Sequence, residues 1–388
     1  MTLLQLPTGQ KERQAERIAA KEENEKRKEV YKRFKVKVSP FLSRLMRESE
    51  AVRKQFLPSS NELIEFGGTA TPFEEGREKE GIYGLERLYV DRVLLTPYFE
   101  CSAYCRYCFK KTRTLGGDEE IENRMMTEED LQHAIEYIRN DERIRTILIT
   151  GGDPFANPPL LKKTLDMAVT IPHINRVRVG TRNILFEPHR LTDELGALLG
   201  SYNRYDPDNL ANCLNIGAGI SINHPDELAP EVRRAIMNLI RHGVKVRGQV
   251  VLLKGINDNA KTIKELFNLF LDMGMSVYYF LHCMPVIGGL HFRTSVQKGI
   301  DIMRETANET GESCPIYVYC TPIGKHRISP GHTLNYVTID KKRYIKATTP
   351  YKAADFKEFT GKRELPPLHD ENEEGYVISH YLDGDDNS

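Results

Sequence analysis

Three cysteines fall within eight residues, in Cys101-Ser102-Ala103-Tyr104-Cys105-Arg106-Tyr107-Cys108. Thiolates at this Cys-x3-Cys-x2-Cys spacing can hold metal from a single loop. Zinc usually takes four ligands, commonly from two separated pairs, and no matching second pair occurs. A 4Fe–4S cluster usually takes four thiolates. Three local thiolates with no evident fourth leave one iron open, as catalytic zinc keeps a free position. The chain has seven cysteines, an odd number in a large protein. That argues against a disulfide scaffold. Cys213, Cys283, Cys314 and Cys320 are scattered in apolar surroundings and read as buried, inert thiols. A second segment, Thr150-Gly151-Gly152-Asp153-Pro154, puts glycines where backbone could approach a ligand closely. Alone it would be an ordinary turn.

The elements around these segments alternate. Strand-like runs are Arg92–Leu95, Thr146–Thr150, Arg176–Val179, Ile216–Ile222, Val244–Leu253 and Val277–Leu281. Helical patterns lie between them. Thr127 and Asp130 resemble a capping box ahead of the apolar face Leu131, Ala134, Ile135 and Ile138. Pro230 opens a helix carrying Val232, Ile236, Leu239 and Ile240, and Ile263, Leu266, Phe267, Phe270 and Leu271 mark another. Six strands alternating with helices predict an α/β fold of parallel βα units, an open or partial barrel. The cysteines then occupy the first βα loop and the Gly-Gly segment follows the second strand. Both are at the strands' C-terminal ends, where barrels gather active groups.

Residues 1–84 read as a charged helical arm and linker, whose bland role is packing or oligomerisation. Residues 85–310 form the expected barrel, 311–365 a C-terminal extension with strand-like runs at Pro315–Tyr319 and Asn335–Thr338, and 366–388 an acidic, flexible tail. The 388 residues include 55 basic and 55 acidic ones, a net formal charge of zero that gives no footprint for nucleic acid or anionic membrane. No apolar run approaches the ~20 residues of a membrane span. The N-terminus lacks a secretory signal's apolar stretch, so a cytoplasmic setting is expected.

The aromatic Tyr107 before Cys108, with Gly151–Pro154 placed after it, resembles the radical SAM superfamily. The resemblance implies that Cys101, Cys105 and Cys108 bind a 4Fe–4S cluster whose open iron chelates S-adenosylmethionine. It also implies that Gly151, Gly152, Asp153 and Pro154 hold the methionine amine. Further segments are similar to the lysine 2,3-aminomutase family, in unbroken order over about residues 85–340. They are Tyr89-x-Asp91-Arg92-Val93, Val179-Gly180-Thr181-Arg182, Asn223-His224-Pro225, Gly248-Gln249-x-Val251-Leu252-Leu253-x-Gly255-Ile256-Asn257-Asp258, His291-Phe292-Arg293-Thr294, Lys298-Gly299-Ile300, Gly324-Lys325 and Asn335-Tyr336-Val337. This likeness implies a partial (β/α)6 radical SAM barrel with an N-terminal helical arm and a C-terminal extension. It makes Lys325 the lysine that attaches pyridoxal 5'-phosphate, Arg92 a phosphate-binding arginine and Tyr89 a tyrosine beside that cofactor. Arg182 and Gln249 fall near the adenosyl cosubstrate. The implied partners are a small amino-acid substrate, an external electron donor such as flavodoxin or ferredoxin, and further copies of the chain.

The departures bear on substrate. Lysine-specific members hold the substrate ε-ammonium with two aspartates, and here those positions are Met284 and Cys320. Neither pairs a cation, so free L-lysine is disfavoured. The family's carboxylate-gripping arginine is replaced by Lys110, which keeps the charge and loses the bidentate fork. The arginine usual before Tyr89 is Leu88, leaving Arg87 as a substitute phosphate contact. No cysteine follows Cys320, so no structural zinc is expected. The expected function is a radical SAM, pyridoxal-dependent amino-acid 2,3-aminomutase, an isomerase. Two alternatives are a radical SAM enzyme acting on a protein-bound lysine or other non-lysine substrate and a non-catalytic iron–sulfur protein.

Overall fold

The computed structural model describes residues 21, 23–64, 67–70, 82–115, 124–309 and 315–384. Its centre is a nine-stranded sheet in simple sequence order. The strands are β1 (Leu85–Tyr89), β2 (Arg92–Tyr98), β3 (Thr146–Gly151), β4 (Arg176–Thr181), β5 (Asn215–Ser221), β6 (Lys245–Leu252), β7 (Ser276–His282), β8 (Ile316–Thr321) and β9 (Gly324–Ile328). Strands β2 to β8 are parallel, and the outer pairs β1/β2 and β8/β9 are antiparallel. The six expected strands are β2 to β7, and Pro315–Tyr319 supplies most of β8. The sheet curls into a partial barrel. Its two edge strands are tied by a side chain, because the Lys325 backbone N–H on β9 donates to the Tyr89 hydroxyl on β1 at 3.0 Å.

Alternation within the strands decides what faces the barrel interior. Ile147, Ile149, Val177, Val179, Ile216, Ala218, Val246, Val250 and Leu252 are buried in the core between sheet and helices. Successive strand residues point to opposite faces, so the other rows point inward. On β4 to β6 those rows hold Arg178, Gly180, Gly217, Gly219, Arg247 and Gln249. A usual closed barrel fills its centre with layers of branched aliphatic side chains. Here arginine, glycine and glutamine leave it polar.

The helices form where the sequence places them. Thr127 and Asp130 make a reciprocal capping box for the helix Glu128–Arg139, which buries Leu131, Ala134, Ile135 and Ile138. Pro230 opens Pro230–Ile240, and Ala260–Asp272 buries Ile263, Leu266, Phe267 and Phe270. No helix among the described residues is long and apolar enough to cross a membrane.

Two expected boundaries change. The main sheet does not end near residue 310 but runs on through β8 and β9, so Lys325 belongs to the barrel and not to a separate extension. The tail is also structured as far as residue 384. Strands β10 (Tyr336–Ile339), β11 (Lys342–Lys352), β12 (His369–Glu371) and β13 (Tyr376–Leu382) form an antiparallel sheet in the order β10-β11-β13-β12. Within the tail's acidic composition, Val377, Ser379 and Tyr381 recur at period two and are buried. The Tyr381 ring stacks on Tyr319 with centroids 4.3 Å apart, and its hydroxyl lies 2.9 Å from His282 Nδ1. Arg293 fastens this sheet to the barrel by donating to the carbonyls of Cys283, Leu382 and Asp383.

Gly248 shows how tightly sheet and helix meet, since a Cβ there would lie 2.3 Å from the Phe270 ring. Overpacking of this kind typically costs about 1–3 kcal/mol. Gly248→Ala is therefore expected to lower the unfolding free energy by that amount, seen in chemical unfolding as a lower denaturant midpoint with an unchanged m-value.

Candidate functional site

The loop after β2 carries Cys101, Cys105 and Cys108, all half-buried and all free thiols. Burial pushes the three up from ordinary thiol values, Cys105 to about 11, and each of Cys101's two fellow thiols raises it further. Among the described residues, no three His, Cys, Asp or Glu side chains converge closely enough for one metal ion. A cluster asks for something else, because its thiolates ligate different irons. Three mutually interacting thiols spread around one loop suit that demand, and bound iron would supply the positive charge that deprotonates them.

The N-terminal arm braces this loop. Backbone N–H groups of Tyr104 and Arg106 donate to the carbonyls of Lys37 and Gln55. Arg106, fully buried between two of the cysteines, donates to Glu62 Oε1 at 2.9 Å and Oε2 at 2.5 Å, and to the Lys35 carbonyl at 2.9 Å. Lys111 Nζ reaches the same Glu62 carboxylate at 2.7 Å, together with the carbonyls of Arg106 and Gly288. Burial pushes Glu62 up, but Arg106 and Lys111 outweigh it and hold the carboxyl below its ordinary range.

A second buried network lies on the barrel side of the loop. Asn223 Nδ2 donates to the Tyr107 hydroxyl at 2.6 Å and to Gln55 Oε1 at 3.0 Å. Arg182, after β4, donates to the Ser221 carbonyl, Gln55 Oε1 and Glu227 Oε1. Its charge pulls the Cys105 thiol down against the larger effect of burial.

The Gly-Gly segment sits against the cysteine loop. A Cβ on Gly152 would lie 2.2 Å from the carbonyl oxygen of Glu100, the residue before Cys101. Gly151 has a φ of 128°, accessible to glycine alone in practice. Asp153 accepts from the backbone N–H of Phe155, Arg182 and Asn183 and from the Thr181 hydroxyl. Burial nevertheless pushes Asp153 up to about 6. Its oxygens are thus spent on tying the Thr181–Asn183 turn after β4 to the start of the short helix that Pro154 opens.

A second group lies deeper in the barrel. The β8/β9 hairpin sets Cys320 opposite Lys325. Gly324, at a φ of 142°, passes so near Tyr351 that a Cβ would lie 3.1 Å from its ring. Tyr351 donates its hydroxyl proton to the Lys325 carbonyl at 3.0 Å. Lys325 Nζ lies 5.3 Å from the Tyr279 ring centroid. Burial lowers its pKa, with Arg178 and Arg92 adding to the effect and Cys320 opposing it.

Arg92 and Arg178 line a cavity of about 170 Å³ with Tyr278, Arg247 and Lys245. Each has a buried Nε with no hydrogen-bond partner. Buried donors without partners are costly, and two guanidinium groups in one small cavity fit a phosphate. Tyr89 sits beside Arg92, with the guanidinium carbon 5.4 Å from the ring centroid. Gly219 joins the two groups, since its missing Cβ would fall 2.5 Å from Gln249 Nε2 and 3.6 Å from Arg178 Nε.

Cys101, Cys105, Cys108, Gly151, Gly152, Arg182 and Gln249 therefore share one end of the barrel, and Lys325, Tyr89, Arg92 and Cys320 share its interior. Arg87 does not join them. It turns to Asp141 at 2.7 Å, Tyr137 and the Val90 carbonyl, which corrects the expected substitute phosphate contact. Lys110 is buried and held by Glu86 at 2.5 Å. Met284 is half-buried beyond the end of β7. Sequence reasoning missed Arg178, although the Arg-Val-Arg-Val alternation of β4 points both arginines away from the core. It also missed Glu62 and Gln55, which carry no local signal.

The family model described as the radical SAM superfamily matches residues 95–287. The chain is 32% identical over 323 residues to an L-lysine 2,3-aminomutase of Clostridium subterminale, covering 81% of this chain and 74% of that one. It is 30% identical over 346 residues to an L-lysine 2,3-aminomutase of Acetoanaerobium sticklandii, covering 86% and 79%. A glutamate 2,3-aminomutase of Clostridioides difficile is 31% identical over 310 residues, covering 78% and 69%.

Removing one partner of a buried ion pair costs about 3–5 kcal/mol, because the remaining charge is left uncompensated. Glu62→Gln is expected to lose stability on that scale and to bind less iron after anaerobic reconstitution, read by iron and sulfide content. Full iron loading would show that the loop holds its shape without the carboxylate.

Proposed function

Because the chain belongs to the radical SAM superfamily and, within it, to the lysine 2,3-aminomutase family, we propose that it is an amino-acid 2,3-aminomutase using pyridoxal 5'-phosphate at Lys325. Membership of the superfamily implies a 4Fe–4S cluster and S-adenosylmethionine, for which Cys101, Cys105 and Cys108 are the candidate ligands. The cluster, when bound and reduced, would supply a 5'-deoxyadenosyl radical from the cosubstrate. Pyridoxal phosphate would supply a conjugated system for the migrating nitrogen.

One observation carries the pyridoxal reading. Lys325 is buried, its pKa is lowered by burial and by the nearby charges of Arg178 and Arg92, and both arginines carry buried Nε groups without hydrogen-bond partners. A lysine amine is nucleophilic only when unprotonated, and burial beside cations favours that form. Arg92 and Arg178 would take the phosphate, Tyr89 and Tyr279 would pack beside the cofactor, and Tyr351 holds the Lys325 backbone in place. Arg182, whose charge reaches Cys105, and Gln249, on the inward row of β6, would orient the cosubstrate.

The substrate's own contacts favour something other than free L-lysine. Met284 and Cys320 offer no carboxylate to an ε-ammonium, and an unpaired buried charge costs several kcal/mol. Lys110 is the proposed carboxylate contact, but a substrate carboxylate must compete with Glu86 for it. That pair also favours a second reading, in which the amino acid lies within a protein and has no free carboxylate.

The test is pyridoxal phosphate binding to the metal-free protein. Borohydride trapping and peptide mass spectrometry are expected to find the pyridoxyl group on Lys325, and Lys325→Ala to abolish it. Because the pKa is lowered, attachment should persist as pH falls through the range where an exposed lysine becomes protonated. It should fail only below the lowered value. A pyridoxyl group on another lysine, or attachment lost already near the ordinary lysine pKa, would contradict the assignment.

A further inference from the structure

The cavity beside Arg92 and Arg178 is more positive than one phosphate requires. It lies at the end of the barrel opposite the cysteine loop. Arg92, Thr146, Arg176, Asn215 and Lys245 are the first residues of β2 to β6, and all of them line it. The register sets Arg92, Thr146, Arg176 and Asn215 side by side in one row. Arg178 and Arg247 follow two residues later on β4 and β6. Barrel enzymes place their active groups at the other end, where the strands finish.

Five cations therefore surround about 170 Å³, and no described Asp or Glu lines it. Asp91, outside the lining, comes only within 3.9 Å of Arg176. Arg176 otherwise donates to the Thr146 hydroxyl at 2.9 Å, and Lys245 to Asn215 Oδ1 at 3.0 Å. Among the described residues, Arg92 and Arg247 have no hydrogen-bond or ion-pair partner. Each faces only a ring, Arg92 that of Tyr89 and Arg247 that of Tyr278. Elsewhere Arg87, Arg106 and Arg182 each meet a carboxylate. The chain has as many acidic as basic residues, 55 of each, so the deficit belongs to this place and not to the composition.

A phosphate monoester carries about −1.5 to −2 charges at neutral pH. Set on Arg92 and Arg178, it would leave Arg176, Lys245 and Arg247 without an anion. Like charges in one small space repel, and a half-buried guanidinium needs acceptors. Sites for drug-sized ligands enclose roughly 300 Å³ or more. This cavity is smaller, which favours a compact oxyanion over a nucleotide.

We propose that Arg176, Lys245 and Arg247 form a second anion site at the N-terminal end of the barrel, which takes a free tetrahedral oxyanion, inorganic phosphate or sulfate. The proposal rests on the pyridoxal reading only in giving Arg92 and Arg178 to that cofactor's phosphate. The two guanidinium groups supply paired N–H donors, and Lys245 adds a point charge.

The test uses metal-free protein whose pyridoxal phosphate has been fixed on Lys325 by borohydride. Isothermal titration with inorganic phosphate, at an ionic strength held constant with chloride, is expected to find one site per chain. Lys245→Glu/Arg247→Gln is expected to weaken that binding at least tenfold and to leave the pyridoxyl group on Lys325. Lys245→Glu alone changes an exposed side chain, so it guards against misfolding and should weaken binding in the same direction. Phosphate should also raise the thermal midpoint of the fixed wild type above its value in chloride, with the variants reporting any general salt effect. Phosphate binding that vanishes once the cofactor is fixed would overturn the proposal, since one site would then serve the cofactor alone. Wild-type phosphate affinity in the variants, or no binding in any form, would overturn it too. If borohydride fixes no pyridoxyl group on Lys325, the pyridoxal reading falls by itself. Titration of the untreated protein then decides the anion site: binding lost in the variants upholds it, and binding unchanged in them removes it.

Discussion

Arg106 is fully buried within the loop that carries the three cysteines, and a buried guanidinium must be neutralised where it stands. Glu62, from the N-terminal arm, does this with both carboxylate oxygens and also takes the Lys111 ammonium. Lys111 in turn reaches the Gly288 carbonyl beyond β7. Three segments distant in sequence are thus fastened by one carboxylate. The arm's backbone supplies carbonyls to the same loop. Its principal structural part is accordingly to hold the cysteine loop against the barrel mouth.

With the loop fixed, the barrel's open centre becomes usable. The inward rows of β4 to β6 carry Arg178, Arg247 and Gln249 separated by glycines, so side chains from both ends can reach toward the middle. Gly219 gives room for Gln249 and Arg178 at once. Arg178 lines a cavity with Arg92, and its charge is felt at Lys325. A radical made at one end and a cofactor held in the interior would need this proximity, since a radical generated far from its target is lost to side reactions.

Much of this was legible in the sequence, and the part that was not has identifiable causes. The cysteine loop and Gly151–Gly152 are local motifs whose residues act through short spacing, and strand alternation with capping located the barrel elements. Lys325 was placed by resemblance, and the two-residue hairpin explains how a short turn still delivers it to the interior. Long-range partners gave no signal. Glu62 sits 44 residues from Arg106 in an unremarkable polar stretch, and Glu86 meets Lys110 only because β1 folds back on β2. Arg87 looked equivalent to a phosphate ligand one position away, but adjacent strand residues face opposite ways, and it turned outward to Asp141. The tail misled through composition. Asp370, Glu371, Glu373 and Glu374 face solvent, while the alternating Val377, Ser379 and Tyr381 supply the buried face of β13 and Asp383 is buried against Arg343.

The central claim is that one barrel couples radical generation to migration of an amino group. It is tested most directly by incubating the reconstituted protein anaerobically with reductant, S-adenosylmethionine, pyridoxal phosphate and a panel of free L-amino acids. Mass spectrometry would then separate the α- and β-isomers. The account predicts a β-amino acid from a substrate other than lysine, with its formation dependent on Lys325. Accumulation of 5'-deoxyadenosine with no β-isomer from any amino acid would contradict it, leaving the radical chemistry in place and removing the aminomutase assignment.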